Sequence, residues 1–159
     1  MAREGLFSSI ATVLPSARVL DLYAGTGALG IEALSRGTEH ATFVERNPAA
    51  HRAIAQNLER TRLSDRANVV RADVLAFLSR DDKPGAPFDL VLADPPYDEP
   101  QEQVGAAIRR LTSGWLAGHG WTVVLTRGTR SSMPVIPVDW RVARRLEYGD
   151  TLVLVFREV

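Results

Sequence analysis

The chain has 159 residues, 45% hydrophobic and 24% charged, the make-up of an ordinary globular protein and enough for one domain, 1–159, that folds without staples. With no cysteine, disulfides, thiolate metal sites and a cysteine nucleophile are excluded, and His40, His51 and His119 lie too far apart for an HExxH-like site, so no metal is expected. Nineteen basic residues offset nineteen acidic ones, so a nucleic acid would have to be met by arginines clustered in space and not by net charge.

Arg3–Val13 carries Leu6, Phe7, Ile10 and Val13 at helical spacing and ends before Pro15. Nothing here has the basic stretch, apolar run and cleavage site of a signal peptide. No later segment approaches the roughly 20 apolar residues that span a bilayer, so a cytoplasmic protein with no membrane partner is expected. Arg18–Tyr23 reads as a strand, Gly25–Gly30 as a glycine-rich turn, Ala28–Arg36 as a helix stopped by Gly37, and His40–Glu45 as a second strand. Asn47 and Pro48 suit the N-cap and first position of a helix that runs to about Arg62. Ala67–Arg71 is a third strand, Asp73–Leu78 a short helix, and the polar, proline-bearing Asp81–Pro87 a loop. Phe88–Ala93 is a fourth strand. Val104, Ile108, Leu111 and Trp115 mark a helix, and Trp121–Thr126 is a fifth strand. Trp140–Tyr148 and Thr151–Phe156 flank Gly149-Asp150 as a hairpin.

Strands alternating with helices imply an α/β fold, a mostly parallel sheet with helices on both faces and antiparallel pairing from the hairpin at one edge. Ligands of such sheets sit beyond the carboxyl ends of the strands, near the switch point. The residues at those ends are Asp21 with Gly25–Gly30, Glu45, Asp73, and Asp94-Pro95-Pro96-Tyr97.

Gly25-Thr26-Gly27-Ala28-Leu29-Gly30 matches GxGxxG, with Glu45 about 20 residues on, where an acid meets ribose hydroxyls. A nicotinamide enzyme would use the same device for pyrophosphate. Two features count against it. Asp21, four residues before Gly25, would repel pyrophosphate yet attract the ammonium of a methionine moiety, although a buried structural role would also suit it. Asp94–Tyr97 has no use in a nicotinamide fold. It does suit methyl transfer to an exocyclic amine, a poor nucleophile whose lone pair is delocalised into the ring. A carboxylate and a nearby carbonyl that each accept one N–H favour the pyramidal, attacking geometry. The prolines stiffen the turn and donate no N–H, and Tyr97 offers a face for a flipped-out base. Asp73 could cap the helix that follows it, accept from an adenine amino group, or do both. Arg46 could form a packing plane for adenine.

With those residues in place, the sequence resembles the bacterial 16S rRNA guanine-N2 methyltransferase family, the RsmD-type enzymes, over nearly its whole length. The resemblance is carried by Arg3-Glu4-Gly5-Leu6-Phe7, by Val19 to Gly37, by Phe43-Val44-Glu45, Asn57-Leu58, Asp73 and Asp94-Pro95-Pro96-Tyr97, and by Gly149-Asp150-Thr151 at the hairpin turn. It implies a Rossmann-like class I methyltransferase fold with a seven-stranded sheet. It implies S-adenosylmethionine as cofactor, S-adenosylhomocysteine as product and no metal. Asp21, Ala24, Gly25, Thr26, Gly27, Glu45, Arg46, Asp73, Val74 and Asp94 would hold the cofactor, and Asp94, Pro95, Pro96 and Tyr97 the target guanine. The implied partner is 16S rRNA in the small ribosomal subunit or its assembly intermediate, met by a monomer. In one respect the chain departs from the pattern: family members usually carry a further basic, glycine-containing stretch before the Arg-Glu-x-Leu-Phe helix, and here Met1 sits almost on that helix. Two other functions are compatible with the residues, a DNA amino-methyltransferase and a catalytically weak cofactor-binding protein of ribosome assembly.

Overall fold

The computed structural model describes residues 2–159. Helix α1 spans Ala2–Ser9, α2 Ala28–Ser35, α3 Pro48–Arg60, α4 Val74–Leu78 and α5 Gln101–Leu111. Strand β1 spans Arg18–Leu22, β2 His40–Glu45, β3 Ala67–Arg71, β4 Leu90–Ala93, β5 Thr122–Gly128, β6 Trp140–Tyr148 and β7 Thr151–Glu158. They form one sheet in the order β3-β2-β1-β4-β5-β7-β6. The first five strands in that order are parallel, and β7 runs antiparallel to both β5 and β6. The chain works outward from β1 through β2 to β3, then crosses back to place β4 on the other side of β1. The carboxyl ends of β1 and β4 therefore flank the switch point, where no connection covers the strand ends.

Side chains alternate across the sheet and feed two cores. Leu20, Leu22, Val91 and Val123 face α4 and α5, meeting Phe77, Ile108 and Trp115. Val19, Leu90, Leu92 and Val124 face the other layer, meeting Leu6, Phe7, Leu34 and Ile54. Each buried Leu, Ile or Phe contributes about 1.5–3 kcal/mol, so both layers are held by the same two-residue alternation. Among the described residues no helix is long and apolar enough to cross a membrane.

Several element ends differ from the sequence reading. The expected helix Arg3–Val13 breaks at Ile10, and Ala11–Val13 continues as a tighter three-residue turn. The apolar face survives the break, since Leu6, Phe7, Ile10 and Leu14 are all buried. The helix expected to reach Arg62 stops at Arg60, where the Thr61 hydroxyl donates back to the Asn57 carbonyl at 2.7 Å and Arg62 turns left-handed. Strand β1 ends at Leu22, because Tyr23 adopts φ 57°. Phe88 precedes β4 and makes only an isolated bridge to Leu116. Trp115 lies beyond α5. Its helical spacing was a core signal, for the indole is fully buried between Phe77 and Phe88 and donates to the Leu78 carbonyl at 3.0 Å. Strand β5 runs two residues past Thr126, because Arg127 and Gly128 pair with Leu152 and Thr151 of β7.

Candidate active site

The turn after β1 is built around a buried carboxylate. Asp21 is 1% exposed, and its Oδ2 accepts the Gly30 N–H at 3.0 Å. Gly30 is the third residue of α2, so one free amide of that helix's first turn is already bound by the protein's own acid. A Cβ at position 30 would collide with the Phe43 ring and lie 2.9 Å from Asp21 Oδ2, which is why this position must be glycine. Burial pushes the Asp21 carboxyl well above its ordinary range, the Gly30 N–H opposes this, and the charges of Asp94 and Glu45 add to it.

Glu45, at the end of β2, ties the loop down. Its Oε1 accepts the Gly25 N–H at 2.7 Å and its Oε2 the Asn47 N–H at 2.9 Å, leaving a lone pair on each oxygen for a ligand hydroxyl. Asn57 of α3 holds the loop from outside, donating to the Thr26 carbonyl at 3.0 Å. Asp73 caps α4 by accepting the Ala76 N–H at 3.2 Å, and its other oxygen lies 3.8 Å from an Arg46 nitrogen. Both partners of that pair are more than half exposed, so it adds little to stability and both stay available to a ligand.

These groups surround a cleft of about 410 Å³. Asp21, Ala24, Gly25, Thr26, Glu45, Arg46, Asp73, Val74 and Asp94 all line it, as the sequence reading expects. Gly27 is not among the lining residues. It is buried with φ 87°, and a Cβ there would come within 3.3 Å of Ile31 and Ile54. Its part is to turn the chain into α2, so a side chain at this position would act through the loop conformation and not by striking a ligand. Tyr23, Ala28, Leu29, Val44, Ala72 and Glu99 line the cleft as well. Ala72 and Val44 flank residues already singled out and could have been found by adjacency. Glu99 had no signal in the sequence, because the turn after β4 carries it in. The Tyr23 hydroxyl is buried without a hydrogen-bond partner, and burial, with Glu99 and Asp73 nearby, raises its pKa so that it stays a donor.

The lining holds five carboxylates, Asp21, Glu45, Asp73, Asp94 and Glu99, against the single guanidinium of Arg46. Such a cleft repels a pyrophosphate and favours a ligand with cationic groups. Beside it lies a second pocket of about 270 Å³, lined by Asp94, Pro95, Pro96, Tyr97, Thr126, Arg127, Gly128 and Thr151. The two share Asp94 and Pro96, so the Asp94 carboxylate stands where they meet. Its Oδ1 accepts the Thr126 hydroxyl proton. Pro95 is buried, whereas Tyr97 is 79% exposed, its ring against Gly128, where a Cβ would lie 2.9 Å away. An acidic cleft that opens onto a small pocket across one carboxylate can bring an electrophile on one side to an amine on the other.

Residues 1–157 match the family described as Conserved hypothetical protein 95. The chain is 34% identical to ribosomal RNA small subunit methyltransferase D of Escherichia coli K12 over 149 residues, which is 93% of this chain and 72% of that protein. The chain belongs to this family. A solved family-like structure from Streptococcus pyogenes, described as a conserved hypothetical protein, superposes with a TM-score of 0.86 at 30% identity and covers 99% of this chain and 95% of that one. The fold reaches further than the family. Magnesium protoporphyrin IX methyltransferase of Synechocystis, solved with bound S-adenosylmethionine, superposes with a TM-score of 0.71 at 17% identity, covering 99% and 80%. The sheet order, the antiparallel C-terminal hairpin and these neighbours make this the Rossmann-like class I methyltransferase fold.

Proposed function

We propose that this chain transfers a methyl group from S-adenosylmethionine to the exocyclic N2 amine of a guanine in 16S rRNA, within the small ribosomal subunit or an assembly intermediate of it. It is an S-adenosylmethionine-dependent ribosomal RNA methyltransferase of the family that includes the Escherichia coli small-subunit enzyme. We read it as a cytoplasmic, single-domain monomer. The observation that carries the proposal is the meeting of the acidic cleft and the smaller pocket at Asp94, held by Thr126.

The residues of the larger cleft suit the cofactor. When bound there, S-adenosylmethionine supplies an electrophilic methyl carbon on a cationic sulfur. Asp21, with Asp94 and Glu99 nearby, favours positive charge, including the ammonium of the methionine moiety. The free lone pairs of Glu45 accept from ribose hydroxyls, and the free valence of Asp73 from an adenine amine. Val74 and Leu29 supply apolar contact, and Arg46 a plane against which adenine can pack. A dinucleotide finds neither a neutral wall nor the Gly30 amide free for its pyrophosphate.

On the other side of Asp94, Tyr97 stacks the target base and the two prolines keep the turn rigid. Asp94 accepts one N–H of the amine and a carbonyl of the turn accepts the other. This favours the pyramidal nitrogen whose lone pair attacks, and it acts chiefly on the transition state. On taking up the methyl group the amine would give up a proton, and the Asp94 carboxylate would accept it.

The test is calorimetric binding of S-adenosylhomocysteine with NAD as control, followed by tritiated-methyl transfer to small-subunit particles lacking the modification and nucleoside analysis of the product. Homocysteine-adduct binding and N2-methylguanosine are expected. NAD binding without adduct binding, or a methylated base other than guanine, would overturn the reading.

A further inference from the structure

Strand β5 ends at Gly128, two residues past Thr126. Strand alternation puts both positions on one face of the sheet, and both line the pocket that holds Asp94. Gly128 pairs with Thr151 of β7 in the regular ladder, and its backbone is not left-handed, so neither pairing nor conformation demands a glycine. What occupies the space of its missing side chain is the Tyr97 ring. A Cβ at position 128 would lie 2.9 Å from Cε1 and 3.5 Å from Cδ1 of Tyr97, and the next atom it met would be Ser131 Oγ at 3.8 Å.

Two adjacent ring carbons are close and no other ring atom is nearer than 3.8 Å, so the ring meets the strand by one edge. Its faces are left bare. Tyr97 is 79% exposed and lines both the pocket with Asp94 and an outer hollow with Thr129, Arg130 and Ser131, so the ring stands as a partition between the two. Pro95 and Pro96 stiffen the backbone from which the side chain projects, but they leave its χ angles to be set by what the ring rests on. We infer that Gly128 is a positioning residue: its bare backbone seats Tyr97 edge-on and so turns one face of the ring to the base beside Asp94. A methyl group at 128 would push the ring off that seat. An exposed ring moves aside at little cost to stability, but the stacking face leaves the pocket with it. The inference rests on the function proposed above, in which Tyr97 stacks the target base, and names the residue that sets the pose of that ring.

The experiment is a double-mutant cycle between Gly128→Ala and Tyr97→Ala, read by methyl transfer to small-subunit particles lacking the modification. In the presence of Tyr97, Gly128→Ala is expected to lower kcat/KM for the RNA about 5- to 100-fold, the worth of one base–aromatic stack. S-adenosylhomocysteine affinity and Tm should match wild type. In the Tyr97→Ala background the same substitution should change nothing, because the ring it displaces is gone. An equal loss in both backgrounds means that the methyl group obstructs the base directly, and overturns the inference while leaving the function standing. So does an unchanged rate for Gly128→Ala, which would show that the ring needs no such seat. A Gly128→Ala chain that melts several degrees lower, or does not fold, would show that position 128 faces packing firmer than an exposed ring, and overturns it as well. Failure of the function is seen before position 128 is altered: no transfer by the wild type, or full activity of Tyr97→Ala, sinks that reading of the pocket and this inference with it.

Discussion

The Thr126 hydroxyl donates its proton to Oδ1 of Asp94, one residue past the last paired position of β4 and β5, where Ala93 stands opposite Leu125. Sheet register alone sets the two residues face to face. The bond fixes the carboxylate rotamer and leaves Oδ2 for the substrate amine. Thr126→Val should therefore lower kcat about 10- to 100-fold, the worth of a hydrogen bond to a charged group, while cofactor affinity stays close to wild type. Thr126→Ser keeps the hydroxyl and should recover most of the rate. Single-turnover methyl transfer reads both, and a valine variant at full rate would show that Asp94 needs no such support.

Asp94→Ala removes the acceptor itself. Transfer should fall by at least about 10²–10³, the range seen when one preorganised polar group is deleted from a transition state. S-adenosylhomocysteine binding should change only a few fold, because Asp94 is one of five acids on that cleft. A fully active variant would remove Asp94 from the mechanism.

Asp21 links stability to pH. Burial raises its carboxyl pKa in the folded state, so the folded protein holds a proton that the unfolded chain releases near pH 3.9. The stability of the free protein consequently falls as pH rises from there through the raised value. Asp21→Asn carries no charge to desolvate and can still accept the Gly30 N–H. Its Tm at neutral pH should lie above wild type by a few degrees, at roughly 2–4 °C per kcal/mol. The gain should vanish below about pH 4. Cofactor affinity should fall about tenfold, one charge-assisted hydrogen bond's worth. Thermal melts from pH 3 to 8 would expose a flat difference, which would contradict the linkage.

Gly30 and Gly118 test close packing against open space. Gly30→Ala forces a methyl group into Phe43 and Asp21 and should cost about 1–3 kcal/mol, typical of overpacking. Gly118→Ala has nothing within 4 Å and no left-handed backbone, so its Tm should match wild type. Equal melting of the two would show that the β1–α2 contact yields easily.

The gathering of the strand-end residues around one cleft was legible in the sequence because each signal is local. Asp21 and the glycines belong to one turn, Glu45 and Asp73 close their own strands, and Asp94–Tyr97 form one tetrapeptide. Strand alternation and the Asn47-Pro48 cap likewise depend on neighbours a few residues away, and the α3 cap was found where expected, with Asn47 accepting from Ala50. The element ends were less legible. Trp115 shows why: a residue buried by distant partners satisfies a helical spacing as well as one inside the helix does.

The amino-acid sequence by itself determined which acids, glycines and prolines stand at the strand ends, since these are properties of residue type and short spacing. Only the tertiary structure decided which of them meet. Pairing β4 with β5 brings Thr126, more than thirty residues away in the chain, onto Asp94, and the turn after β4 carries Glu99 into the acidic cleft. Packing of α3 and β2 against the first loop turns Gly27 away from the cleft and hands Glu45 to Gly25. Register and close packing are properties of the whole sheet, and no window of sequence contains them.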